Sequence, residues 1–275
     1  MLNDDTIAIY IIFDDMLKSI DHKEHQLRHV NDTLILTTAS VSALYFGGNH
    51  VKAIGYVKSH HCPQMLGTSR FNRRWHALQV LAEYCFLLLS QLFKLENIRN
   101  RYSMDTFPVA VCHNIRISRC QLLSGEDYRG RNTSKREYFY GFKVAVLATE
   151  HGLPVEIAFI PGAYAEQSAL KRLDFYLPED SLVYADSGFT DYEWEDFYNE
   201  HEGIDFQIAR KKGSKRGDTF IDHVAKKQNR KRIETTFSEI TTLFPKRIHA
   251  TTINGFVFKV WLFVVAFAIK KNFCN

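Results

Sequence analysis

Apolar runs fill the first hundred residues, the clearest of them with apolar positions at three- and four-residue steps, and from Arg101 onward the pattern changes to short strand-like runs. That change predicts a helical region followed by a mixed α/β region. Thr6–Leu17 (TIAIYIIFDDML) and Asn31–Phe46 are predicted helices, with Asn31 or Asp32 capping the second. Gly47-Gly48 interrupts the pattern before a third helix near Asn49–Lys58. Arg70–Leu95 reads as one long helix whose apolar positions are Leu78, Leu81, Cys85, Leu88, Leu89 and Leu92. Arg70, Arg73 and Arg74 crowd its first turn, against the helix dipole. An anionic partner would offset that opposition, and a solvated basic face accounts for it equally well.

The second region begins with a strand over Tyr102–Val111 that carries Asp105, with Pro108 confining it to an edge or ending it early. Asn114–Arg136 is polar and reads as a surface insertion. Glu137–Thr149 and Leu153–Ile160 are strands joined at His151-Gly152, predicting a hairpin. A helix is expected over Ala163–Leu173, then a short buried strand, Leu182–Ala185, ending on Asp186 and broken by Ser187-Gly188. A helix at Asp191–Glu200, a strand at Asp205–Ala209 and a helix at Lys226–Phe244 complete the order. In the last, Ile233, Phe237, Ile240 and Phe244 form the apolar stripe, while Arg230, Glu234 and Ser238 share another face. Three strands, then alternating helices and strands, predict an α/β fold: a ribonuclease H-like mixed sheet flanked by helices, over residues 99–275. Residues 1–98 form the N-terminal all-helical region.

Composition narrows the function classes. With 275 residues and 45% hydrophobic content the chain has ample material for a packed core. The net charge of +4 permits a polyanionic partner without demanding one. Its distribution says more. Ten lysines or arginines fall between Arg210 and Arg232, opposed only by Asp218 and Asp222. Such a run points to nucleic acid, or else to a solvated loop. Five cysteines without a CxxC pair, and acids where a secretory signal would be basic, lead to the expectation of a reduced, cytoplasmic protein. Gly255–Ile269 is apolar but short for a membrane span, and is expected to be a core helix with no membrane association.

Asp186 lies where open α/β sheets place ligands, at the carboxyl end of a buried strand. The same residue would serve as a plain turn acid. Asp105 on the first strand and Glu234 on the last helix are the acids that such a fold can bring to it. Clustered carboxylates repel and need water or a cation between them. Hard oxygen ligands suit Mg²⁺ or Mn²⁺, and two such ions roughly 3.5–4 Å apart support phosphodiester chemistry. His113, His60-His61-Cys62 and the aromatic run Tyr138–Tyr140 carry weaker signals, better explained by surface placement or packing.

Several stretches resemble bacterial insertion-sequence transposases of the DDE class, and most the group named for insertion sequence 982. They are LGTSRFNRRWHAL (66–78), MDTFPVAVC (104–112), YFYGFKVAVLATEHG (138–152), VYADSGF (183–189) and RKRIETTFSEI followed by INGF (230–240, 253–256). The resemblance places the family's metal-binding acids on Asp105, Asp186 and Glu234, and Arg230 on its R-x3-E pattern. The tyrosine expected three residues before Arg230 is replaced by Lys227, and the lysine seven after Glu234 by Thr241. What the resemblance implies is metal-dependent cleavage at element ends and strand transfer into target DNA. The partner would be double-stranded DNA, as terminal inverted repeats and target, bound by a homodimer on paired ends. Phosphate contacts would come from Lys143, Arg210, Lys211, Lys212, Lys215, Arg216, Arg230 and Lys231. Arg70, Arg73 and Arg74 would help recognise the ends. A nuclease of the same fold that cuts without joining, and a non-catalytic DNA-binding derivative, remain alternatives.

Overall fold

The computed structural model describes residues 1–132 and 136–274, with the side chains of residues 221, 230 and 231 outside that description. The chain divides into two compact units, one built from residues 1–89 and 240–275 and the other from residues 90–239.

The first unit is helical. Helices α1 (Leu2–Ser19), α2 (Asp32–Phe46), α3 (His50–His60) and α4 (Thr68–Ala77) pack with the start of α5 (Gln79–Glu96) and with α8 (Ile253–Phe273). Asn31 caps α2 as its sequence predicts, accepting the Leu34 N–H at 2.9 Å. Helix α2 is buried over nearly its whole circumference, as a helix apolar all round must be. So is α8, which at 21 residues is longer than its sequence suggested. It is long and apolar enough to cross a membrane, yet most of that length is buried within the fold. The predicted helix 70–95 is two helices bent by 59° at Leu78. Leu78 closes α4 with its N–H shared between the Arg74 and Trp75 carbonyls. The bend lets Trp75 stack on Phe258 at 4.3 Å while Phe86 meets Trp261 edge-on at 5.8 Å. Tertiary packing here overrides an unbroken helical pattern.

The second unit holds a six-stranded sheet: β1 (Arg101–Cys112), β2 (Arg129–Asn132), β3 (Glu137–Thr149), β4 (Pro154–Pro161), β5 (Leu182–Ala185) and β6 (Asp205–Ile208). The order is β2-β3-β1-β5-β6, with β4 also on β3. β3 is antiparallel to β1 and β4, whereas β5 is parallel to both β1 and β6. β1 runs through Pro108 instead of ending there. Its pairing to β5 stops at Ser103, so beyond that point β1 is an edge on one side and tolerates proline. The hairpin of β3 and β4 forms as expected, closed at Gly152 with φ 76°. No α-helix forms over 163–173, where a single 3₁₀ turn at Glu166–Ala169 replaces it. Helix α6 (Tyr192–Glu202) links β5 to β6, and α7 (Phe220–Thr242) begins six residues before the predicted start, inside the basic run.

Candidate functional site

In a strand, side chains alternate between faces, and directly paired residues share one. Ser103 pairs with Tyr184, so Asp105 on β1 and Asp186 just past β5 lie on one face of the sheet. Phe107 lies on that face too, and its ring meets Phe237 of α7 edge-on at 5.3 Å. Helix α7 therefore covers this face. One small cleft is lined by Asp105, Asp186, Met104, Tyr184 and, from α7, Lys226 and Ile233. Each acid is held by local backbone. Asp105 Oδ1 accepts the Thr106 N–H at 2.7 Å, and Asp186 Oδ1 accepts the Gly188 N–H at 2.7 Å. The second bond caps a 3₁₀ turn, Ser187–Phe189. Asp105 and Asp186 are both half-buried.

Glu234 adjoins the cleft without lining it. Ile233 is buried, whereas Glu234, one helical step around, is exposed on the flank of the covered stripe. The ligand atoms of the three predicted acids do not all lie within 4.8 Å of one another. Among the described residues the group meeting that distance is His22, Glu24 and Asp32, in the helical unit. It is already neutralised: Asp32 accepts Arg74 Nε at 2.8 Å and Arg28 Nη1 at 2.8 Å, and Glu24 accepts Arg74 at 3.1 Å.

Two residues of the site were not singled out as site residues by the sequence, although Lys226 belongs to the basic run. Glu166, on the 3₁₀ turn after β4, accepts the Thr106 hydroxyl at 3.2 Å. A Cβ at Gly188 would collide with its Oε2 and come within 2.9 Å of Asp186 Oδ1, so the Glu166 and Asp186 carboxylates are neighbours. Glu166 is one of 31 acids and stands in a stretch that reads as an ordinary helix, so nothing in the pattern marks it. Lys226, the second, is the cation of the cleft. Its ammonium is committed to Asp218 Oδ1 at 2.6 Å and the Ile208 carbonyl at 3.0 Å.

The donor set fits a hard divalent cation. Carboxylates line the cleft, with neither thiol nor imidazole among the described residues that do so. Gly188→Ala tests how finely they are set. The main colliding group is the end of a flexible glutamate, with Asp186 Oδ1 next at 2.9 Å, so stability should fall by about 1–2 kcal/mol. Mn²⁺ affinity should drop about tenfold as the carboxylates shift, in the range seen when groups supporting a metal site are disturbed. Calorimetric titration with Mn²⁺ reads this directly.

The predicted phosphate contacts fall into two groups. Lys211, Lys212 and Lys215 are exposed on the segment between β6 and α7, and Arg70 and Arg73 are exposed on α4. Arg74 and Arg210 are instead structural: Arg74 binds Asp32 and Glu24, and Arg210 forms a two-pronged ion pair with Glu195. Arg216 pairs with Asp196 at 2.7 Å, and Lys143 donates to the Tyr164 carbonyl at 2.8 Å. The Arg230 and Lys231 side chains lie outside the described residues.

A family model described as a transposase DDE domain matches residues 96–250, more than half of the chain and all of the sheet. No curated protein and no solved structure matches.

Proposed function

Because the chain belongs to the transposase DDE-domain family, we propose that it cuts the ends of its own DNA element and joins them to target DNA. The carrying observation is the placement of Asp105 and Asp186 on one sheet face, at one cleft, inside the matched region. The strand order β4-β3-β1-β5-β6 with an antiparallel β1-β3-β4 half supports a ribonuclease H-like reading of the sheet. The sequence stretches quoted above support the insertion sequence 982 group.

Asp105, Asp186 and Glu234 would hold Mg²⁺ or Mn²⁺, with α7 bringing Glu234 to the rim of the cleft when DNA is bound. A bound ion would supply Lewis-acid stabilisation of a phosphodiester and a lowered pKa for water. The chain's own residues would do the positioning. Gly188, having no side chain, lets the Glu166 carboxylate come up beside Asp186. Lys211, Lys212 and Lys215 would follow the DNA backbone. Arg70 and Arg73, exposed on the helical unit, would contact the inverted repeats. Arg210 and Arg216 would act one step back, by fixing the base of the lysine segment. In this reading water first frees a 3′-hydroxyl at each element end, and that hydroxyl then attacks target DNA. A homodimer on paired ends, working in the cytoplasm, is part of the same proposal.

The experiment is to incubate the full chain with labelled duplexes bearing the element's inverted repeats, an unlabelled target and Mg²⁺. Cut ends and joined products are expected. Cut ends without joined products would favour a nuclease, and binding without cleavage would favour a non-catalytic DNA-binding protein.

A further inference from the structure

A second cleft, of about 490 Å³, lies wholly within the helical unit. Its charged lining is of one sign: Arg247 and Lys259 line it, and no acid does so among the described residues, while burial lowers the His50 pKa to about 4 and keeps that ring neutral. Arg247 is exposed. Lys259 is the more telling, being half-buried on the apolar helix α8. Its Nζ donates to the His249 carbonyl at 2.5 Å and has no carboxylate partner among the described residues. Burial lowers its pKa, which shows that the charge is poorly compensated there. A buried cation without a counter-ion is costly unless an anion arrives.

The backbone adds the same sign. Asn49, His50 and Val51, the start of α3, line the cleft, as does Thr68, the start of α4. Helix α4 has no side-chain cap and no acid in its first turn, so its leading N–H groups and dipole remain available. Gly47 and Gly48, with φ 57° and 75°, form the tight turn that brings the start of α3 to this wall. Asn49 already caps α3 by accepting the Lys52 N–H at 3.1 Å, so α3 offers its remaining first-turn N–H groups beside the uncapped α4, and with a lysine and an arginine they make a favourable site for an oxyanion.

We propose that this cleft binds a phosphodiester of duplex DNA, Lys259 and Arg247 gripping the phosphate and the α3 and α4 N-termini donating to it. This inference rests on the transposase reading for the source of the phosphate. The site would anchor the backbone through residues of the helical unit, in addition to the exposed lysines of residues 211–215.

The test uses the full chain and its Arg247→Gln and Lys259→Met variants. Methionine keeps the stem of Lys259 and removes a costly buried charge, so folding should be retained, as thermal unfolding will show. Duplex affinity is measured by fluorescence anisotropy across a salt series. Each variant should bind about tenfold more weakly at moderate salt, with the salt slope reduced by about one. Inorganic phosphate at constant ionic strength should raise the Tm of the parent chain and leave Lys259→Met unmoved. Unchanged slopes in folded variants, or equal stabilisation of Lys259→Met by phosphate, would overturn the site. Cleavage of element ends with unchanged slopes would overturn the site alone and leave the transposase reading standing. A Lys259-dependent phosphate effect in a chain that binds no DNA would overturn DNA as the source, and would count against that reading too.

Discussion

Asp186→Asn is expected to abolish DNA cleavage, by about 10³-fold or more, without unfolding the protein. The substitution is nearly isosteric, and the one bond that fixes the local turn survives it. Asp186 Oδ1 accepts the Gly188 N–H at 2.7 Å, and an asparagine oxygen can accept the same bond. The Tm should therefore stay within a few degrees of the parent chain. What is lost is the charge. An amide oxygen is a weaker ligand for a hard divalent ion than a carboxylate, and metal-supplied stabilisation of the transition state is worth several kcal/mol, each 1.36 kcal/mol being about tenfold in rate. Mn²⁺ titration and end cleavage should fail together. Cleavage that persists at more than about a tenth of the parent rate would remove Asp186 from the catalytic group. Asp105→Asn should behave likewise, since Asp105 keeps its bond to the Thr106 N–H through the same kind of oxygen.

Asp105 and Asp186 were legible because strand signals are local. Leu182–Ala185 is a buried run ended by Ser187-Gly188, and Glu137–Thr149 is an almost unbroken apolar run up to its turn; both strands have the predicted bounds. What escaped the sequence was fixed by residues far away along it. The bend at Leu78 answers to aromatic partners on α8, some 180 positions later. Arg74 turns inward because Asp32 stands 42 residues before it, and Arg210 because Glu195 stands 15 residues before it. A charge run cannot reveal which of its members are already paired. Nor could Glu166 be singled out, since its significance comes from a sheet register that brings Thr106 to it across 60 residues. Glu234 lay in the predicted helix, but its position on the flank of the covered stripe depends on how that helix rolls against the sheet.

The basic run between β6 and α7 is where that pairing has the largest consequence for stability. Arg210 and Glu195 are both almost fully buried, at 7% and 5% side-chain exposure. The guanidinium meets the carboxylate through both arms, one of them at 3.0 Å, and its face lies over the Tyr192 ring at 5.0 Å. Glu195 Oε1 also accepts the Asp191 N–H at 3.2 Å, tying the start of α6 to the end of β6. Glu195→Ala removes the counter-ion and leaves a buried guanidinium. The expected cost is about 3–5 kcal/mol, the range for breaking such pairs, which for a domain of this size lowers Tm by roughly 10 °C. The double variant Glu195→Leu with Arg210→Met should recover most of that loss, because two well-packed apolar side chains leave no charge uncompensated. Acid should loosen the same base from its other side. Burial alone would raise the Asp218 pKa, but the Lys226 ammonium and the Arg210 N–H pull it below the ordinary carboxylate value. Its contribution is therefore full above about pH 4 and is lost as the pH falls through its lower folded value. DNA binding separates anchoring from contact. If Arg210 acts only by holding Lys211, Lys212 and Lys215 in place, the double variant should keep the parent salt slope. A slope lower by about one in that folded variant would show that Arg210 meets phosphate itself.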